Sequence, residues 1–301
     1  MADFITYSFI GLAIGCIYAL IALGFAIIYK ASDVINFAQG ELLLLGAYVA
    51  SYAMASWHLA FPLALLIAIT VTVVVGLLFE RFALRRMIGR PVFAIVMVTI
   101  GLDVLLRTGI SIRLGATQIL SSASPFSTAS QTHIGGVILN SIDITIVVVT
   151  LLCCAALYLF FNRTRYGLAM RATALDQEAA LAIGIDIRTV YALAWGIAGA
   201  VAALGGVLLA ARSGSGAFDI SLGQTALLAF PALILGGLDS IPGSVVGGVL
   251  IGLTYGYANA YEHLIPRLGA GFESAAPYLL MLVILLIRPY GLFGSRKVER
   301  V

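Results

Sequence analysis

An all-α bundle of about eight or nine membrane-crossing helices is the fold class this sequence predicts, and three observations predict it. Hydrophobic residues make up 61% of the 301-residue chain and charged residues only 10%. The mean hydropathy of +1.08 is one that no water-facing surface of this size would tolerate. The apolar residues fall in long runs, and at about 20 residues per helical crossing they suffice for roughly nine. Third, the basic residues gather in a few of the breaks between runs. The net charge of +3 is small, and no aromatic-rich basic patch suggests nucleic acid. One transmembrane domain, residues 1–301, takes the whole chain.

Phe4–Ile28 is apolar for longer than a signal-peptide core and lacks a basic leader, so it reads as a retained span. Lys30 and Asp33 make a polar break before Phe37–Ala55, and Trp57 and His58 mark the next interface. Pro62–Phe79 ends in the basic cluster Arg81, Arg85, Arg86 and Arg90. Pro91 opens the next helix. Val92–Ile112 carries Asp103 and Arg107, four apart on one helix face, which predicts a structural ion pair within that helix. Residues 113–141 form a Ser/Thr-rich external loop. Asp143–Phe161, Val190–Ala211, Leu222–Leu238 (interrupted by Pro231), Val245–Tyr261 and Ala275–Ile287 complete the set. The glycine-rich corner GGLDSIPGSVVGG leaves a partly re-entrant pair, and so eight crossings, as the alternative to nine.

With nine crossings, thirteen of the 17 basic residues lie in breaks on one side: Lys30, the Arg81–Arg90 cluster, Arg163 to Arg188, and Arg288 to Arg300. The positive-inside rule makes that side the cytoplasm, with the N-terminus periplasmic and the C-terminus cytoplasmic.

The longest internal run that is neither apolar nor Ser/Gly-rich is 163–188. Good helix formers from Glu178, Ala179 and Ala180 onward, closed by Gly184 and Ile185, predict a stubby helix with a glycine stop. Asp176 sits where a carboxylate caps free N–H groups. Leu175, Ala179 and Ala182 fall near one face. A water-exposed helix between two spans is expected to be a docking surface. On this reading Ala179 and Ala180 allow close approach, while Glu178 and Arg171 pair with charges on the partner; a solvated loop with one turn of helix is the plainer alternative.

A weak internal repeat is also present. Ile35-Asn36-Phe37-Ala38-Gln39 and Ile220-Ser221-Leu222-Gly223-Gln224 share Ile and Gln at an offset of 185 residues, and Leu42, Leu43 and Ala47 recur as Leu227, Leu228 and Ala232. Nine crossings bring the two copies in from opposite sides, as in transporters built from inverted repeats around a central path. Tyr18, Asn36, Gln39 and Gln224 are therefore expected to border a translocation route, with helix capping and interhelical hydrogen bonding as the competing account. Glu41 stands beside the same span entrance. Small-x-x-x-small pairs (Gly11 and Gly15, Gly243 and Gly247, Gly248 and Gly252, Gly252 and Gly256) mark seams where backbones approach closely.

Cys16, Cys153 and Cys154 lie in apolar runs and read as packing residues. His58, His133 and His263 are dispersed, and neither HExxH nor a phosphate-binding G-x-x-x-x-G-K-[ST] loop is present. No catalytic residue, metal or cofactor is expected on this chain. A gradient-driven secondary transporter or channel, the rival class, would bury more ionisable groups than Glu41, Asp103 and Arg107.

The pattern E-A-A-x-x-x-G at Glu178, Ala179, Ala180 and Gly184 resembles the coupling motif of ATP-binding-cassette importer permeases. Gly15-Cys16-Ile17-Tyr18-Ala19-Leu20, Asn36-Phe37-Ala38-Gln39-Gly40-Glu41, Gly46-Ala47-Tyr48, the 163–187 loop, GGLDSIPGSVVGG and Arg288-Pro289-Tyr290-Gly291-Leu292-Phe293-Gly294 resemble, in order and over nearly the whole chain, the H-type permeases of branched-chain amino acid importers. The resemblance implies a bundle of the importer-permease type in a bacterial inner membrane. It also implies a sister M-type permease, two cytoplasmic ATPase subunits that hold ATP and Mg, and a periplasmic substrate-binding protein. Gln39 stands where that family often has His, and Asp239 where it often has Gly. Urea, short amides and other small polar solutes therefore remain open as cargo.

Overall fold

The protein is described from a computed structural model covering residues 2–87, 89–114, 120–121, 131–134, 137–213, 217–262 and 271–294. Most of the external loop, and the C-terminal Arg296, Lys297 and Arg300, lie outside the described residues. Each of the nine apolar runs forms a helix: α1 (Ala2–Ser32), α2 (Gln39–Trp57), α3 (Phe61–Phe82), α4 (Val92–Leu114), α5 (Ser141–Arg163), α8 (Ile187–Arg212), α9 (Thr225–Gly236), α10 (Ile241–Ala260) and α11 (Phe272–Ile287). Two short helices, α6 (Arg165–Leu175) and α7 (Gln177–Ala182), separate α5 from α8. Six of the nine, α1, α3, α4, α5, α8 and α10, are long and apolar enough to cross a membrane by themselves. Between α4 and α5, β2 (Gln131–Ile134) and β3 (Val137–Asn140) form a hairpin, and β1 (Leu120–Ser121) pairs with β4 (Ala217–Phe218), antiparallel in both cases.

The helices start and stop where side chains satisfy their free backbone ends. Pro62 and Pro242 occupy the first turns of α3 and α10, where a missing N–H costs nothing. The Ser240 hydroxyl accepts the Gly243 N–H at 3.1 Å, and the Thr164 hydroxyl accepts the Gly167 N–H at 3.0 Å. Both caps lie at turns between packed helices, so they fix the direction of the chain as well as its helicity.

Helix α1 is the axis. Its span is 89% buried and that of α8 61%, against 17% for α4 and 22% for α3 and α5. The peripheral helices turn large apolar side chains such as Leu105 and Leu152 outward, as lipid-facing surfaces do. The predicted glycine seams are internal. Gly11, Gly15, Gly248, Gly252 and Gly256 join α1 to α10, and a Cβ at Gly248 would lie 2.5 Å from the Ala19 Cα. Gly243 and Gly247 face Gly236 and Ala232 of α9. Without water to drive apolar association in lipid, this backbone approach supplies the attraction.

Helices α1 and α8 run antiparallel: Leu20 and Ile21 lie beside Gly205, while Ala31 lies beside Gln177, which also bonds Tyr191. Helix α1 packs on α10 and α9; α8 packs on α3 and α2. Shifting α1–α4 by the repeat offset of 185 brings their ranges to overlap α8–α11 in order, and the first helix of each half packs on the other's second and third helices. The repeat is inverted and covers four helices per half.

The chain passes into the interior of the bundle at two places away from the glycine-rich corner. Gly237–Ser240 lies at one end of the bundle, where Lys30 Nζ donates to the Asp239 carbonyl at 3.1 Å and the Leu292 and Phe293 N–H groups donate to the Leu235 and Gly236 carbonyls. Positive φ at Gly237, 104°, makes that turn. The inward legs are instead 33–38, leading to α2, and β4 with the 3₁₀ turn Ile220–Gln224, leading to α9. Gln39 rests against Gly24, eight residues or about 12 Å from the end of α1. Both α2 and α9 thus begin inside the bundle.

Candidate functional site

The two legs meet. A Cβ at Gly40, in the first turn of α2, would collide with the carbonyl of Gly223 just before α9, so only glycine lets the legs touch. The first leg is sealed. Asn36 Oδ1 accepts the Ala38 N–H at 3.1 Å, Asn36 Nδ2 donates to Gln39 Oε1 at 3.3 Å, and Gln39 Nε2 reaches the Ala198 carbonyl at 3.4 Å. Asn36 and Gln39 are both fully buried. Their polarity answers backbone groups left open by non-helical chain inside the bundle. The second leg is open: Asp219 caps its turn by accepting the Ser221 N–H at 2.7 Å, and Gln224 is exposed.

A cavity of about 350 Å³ lies at the junction, lined among others by Phe25, Phe37, Glu41, Asp103, Arg107 and Gln224. A neighbouring cavity of about 400 Å³ borders the second leg at Arg212, Phe218, Asp219, Ser221 and Thr225. Of the four residues expected to border a route, only Gln224 lines the junction cavity. Asn36 and Gln39 stand behind its wall, and Tyr18 is 3% exposed in the α1–α10 packing, edge-on to Tyr255. The capping and hydrogen-bonding account describes Asn36 and Gln39 as the structure places them.

The ion pair expected within α4 is replaced by one between helices. Arg107 Nε donates to Glu41 Oε1 of α2 at 3.1 Å, while Asp103 lines the same cavity. A bond across the bundle fixes α4 against α2, which a pair within one helix would not do. Beside the neighbouring cavity Arg212 Nε meets Asp143 Oδ1 at 2.9 Å.

Helices α6 and α7 lie at the same end as Lys30 and the Arg81–Arg86 segment. Asp176 caps α7 by accepting the Ala179 N–H at 2.9 Å, and Gly184, at φ 87°, turns the chain toward α8. Asp186 then caps α8. Its carboxyl takes the Thr189 hydroxyl at 2.7 Å and the Arg188 N–H at 3.1 Å, which hold it below the usual carboxylate range. It is therefore charged at neutral pH beside a positive helix end. Glu178 and Ala179 face outward, and Ile185 is half-buried. Arg171 is drawn back to Asn162 at 3.2 Å. Ala180 does not offer a docking surface: it is 2% exposed, because adjacent residues of an α-helix point about 100° apart and Ala179 takes the outward position. What the motif did not reveal is an apolar crest: Leu175 is 89% exposed, Ile183 76% and Leu181 57%, with Tyr166 and Leu168 exposed beside it.

Two interlocked inverted halves, six helices long and apolar enough to cross a membrane and two inner helices, α2 and α9, that start inside the bundle make up the architecture of a membrane transport permease. The family model described as "Branched-chain amino acid transport system / permease component" matches residues 7–287, and the chain belongs to that family. It is 31% identical to the high-affinity branched-chain amino acid transport system permease protein BraD of Pseudomonas aeruginosa, over 97% of this chain and 96% of the relative. It is 32% identical to LivH of Salmonella typhimurium, over 99% and 98%. A more distant likeness, 31% over 49% of the chain and 46% of the relative, is to the galactose/methyl galactoside import permease protein MglC of Escherichia coli. No solved structure matches.

Proposed function

We propose that this chain is a membrane-spanning permease subunit of an ATP-driven importer for branched-chain amino acids. On this reading it pairs with a sister M-type permease, receives solute from a periplasmic binding protein and is driven by two cytoplasmic ATPase subunits. Those subunits hold ATP and Mg; this chain contributes no catalytic group. The full-length family match carries the reading, and the apolar crest supports it: Leu175, Leu181 and Ile183 crown two short helices on the basic end of the bundle, a patch that water alone would not leave bare. The basic residues at that end support its placement in the cytoplasm, with the N-terminus periplasmic.

In the proposed cycle, ATP-driven closure of the ATPase pair pushes on the crest. Asp176 and Gly184 fix α7 at its two ends, so the push passes to α8, whose far end adjoins the second leg. Gln224 and the junction cavity border the solute route, Asn36 and Gln39 brace its wall, and Tyr18 stays in the α1–α10 packing. The test is uptake by the complete transporter in proteoliposomes with no ion gradient, offering leucine, isoleucine, valine, urea and acetamide. ATP-dependent entry of the three amino acids is expected. Leu175→Asp together with Ile183→Asp should leave the permease inserted yet lower uptake and ATPase recruitment at least tenfold. Undiminished uptake would place coupling elsewhere, and entry of urea or acetamide alone would overturn the substrate class. In whole cells, Arg86→Cys should be labelled by an impermeant reagent only after permeabilisation; labelling from outside would reverse the orientation.

A further inference from the structure

The junction cavity holds more chemistry than a passive route requires. Its volume, about 350 Å³, lies in the range of small-ligand pockets, roughly 300–1,000 Å³. Glu41 has a side chain 1% exposed, yet only Oε1 is engaged, by Arg107 Nε at 3.1 Å. Its Oε2 is buried without a hydrogen-bond partner. A buried carboxylate oxygen left unpaired carries its desolvation cost unrelieved, so such an atom marks a missing donor. Arg107 is 39% exposed, and its side-chain hydrogen bond among the described residues is the one from Nε, leaving the two outer nitrogens for an acceptor. Asp103 lines the same space. Two carboxylates face one guanidinium, so a cationic donor is the group missing beside Glu41 Oε2, and the outer nitrogens of Arg107 remain open to an anionic one.

The remaining walls are of the opposite character. Phe25, Phe37, Ile100 and Phe230 surround the polar groups, and Phe25 and Phe230 stack edge-to-face at 5.8 Å. Charges beside a rigid aromatic and aliphatic wall suit a ligand that carries both signs at one end and a hydrocarbon at the other.

We infer that the cavity binds the α-amino acid in transit as its zwitterion. The ammonium satisfies Glu41 Oε2 and Asp103, the carboxylate takes the outer nitrogens of Arg107, and the branched side chain lies among Phe25, Phe37 and Phe230. This rests on the importer reading and adds to it a specificity filter inside the membrane, downstream of the binding protein. Urea carries no ammonium to set between the two carboxylates, no carboxylate for Arg107 and no hydrocarbon for the aromatic wall. Occupancy must be weak enough for release, and the standing Glu41–Arg107 bond, which competes with the ligand for both groups, provides that.

The experiment uses photo-leucine, the diazirine analogue of leucine, in the complete transporter in proteoliposomes during ATP-driven uptake, with labelled peptides read by mass spectrometry. Label is expected on the peptides carrying Phe37 and Phe230. It should fall at least tenfold in Glu41→Gln and Arg107→Gln, and equally in Leu227→Trp, which fills the cavity mouth while leaving every charge in place. If either charge variant fails to assemble with its partners, Leu227→Trp and Asp103→Asn decide. A parent complex that imports leucine but shows no label there, or label unchanged by the variants, overturns the zwitterion site and leaves the importer reading standing. A parent complex that imports no branched-chain amino acid removes the importer reading, and the inference with it.

Discussion

The two inward legs begin from related sequence and end in different physical states. In the first, Asn36, Gln39 and Glu41 are each no more than 1% exposed, and the backbone is tied to α8 through Gln39 and to α4 through the Phe37 N–H, which donates to the Thr99 hydroxyl at 3.3 Å. In the second, Ser221, Gln224 and Leu227 are exposed, and open volume lies on two sides of the turn. Both copies carry Ile and Gln at matching positions. The difference lies in what surrounds them: α1, the most buried of the six long spans, covers the first leg, while the second borders open volume. An inverted repeat can thus assign one copy to scaffold and the other to gate, because local opening follows from few buried contacts.

The sharpest way to break this division is at the point of contact. Gly40→Val places two methyls against the Gly223 carbonyl and forces apart two backbones that have no side chain to yield. Overpacking of this kind costs about 3 kcal/mol or more, so the assembled complex should largely disappear from size-exclusion profiles in mild detergent. A variant recovered at parental yield would show that the legs do not need to touch.

A smaller effect separates the sealed leg from the open one. Asn36→Ala leaves the buried Ala38 N–H unpaired, a loss of about 1–3 kcal/mol, read as a lowered thermal unfolding midpoint of the purified complex. Asp219→Ala removes the corresponding cap from the exposed leg, where water replaces the lost acceptor, so less than half that shift is expected. Equal shifts would mean that the two legs are equally committed to the scaffold.

Most of the helix positions were legible in the hydropathy, because a lipid-facing run of 20 apolar residues has no other economical structure. The repeat was legible in the shared Ile and Gln, although only contacts show that it extends over four helices per half. Three features were hidden, each for a physical reason. Arg107 had a carboxylate four residues away, and sequence spacing favours that local partner; Glu41, 66 residues off, is brought near only by tertiary packing. Ala180 belongs to a motif, but adjacent helix residues point about 100° apart, and only packing decides which of Ala179 and Ala180 faces out. The segment 165–175 carries glycine, three arginine or threonine breaks and little periodicity, so α6 forms because Thr164 caps it and Gly167 packs on Phe161.

The smallest structural effect should come with a disproportionate functional one at Gln224. Its side chain makes no hydrogen bond among the described residues and is exposed at the mouth of the junction cavity, so Gln224→Ala should move the unfolding midpoint by no more than about 0.5 kcal/mol equivalent. Gln39, its repeat mate, is fully buried, and Gln39→Ala should instead destabilise by about 1–3 kcal/mol through the lost bond to Ala198 and the space left beside Gly24. Uptake separates the roles further. If the open leg is the gate, Gln224→Ala should change the rate of leucine entry several-fold at unchanged assembly, whereas any loss in Gln39→Ala should track the amount of folded complex. The measurement is initial uptake per mole of assembled transporter for both variants. Normal specific uptake in Gln224→Ala, or a specific defect in Gln39→Ala larger than its loss of assembly, would transfer the gating role to the first leg.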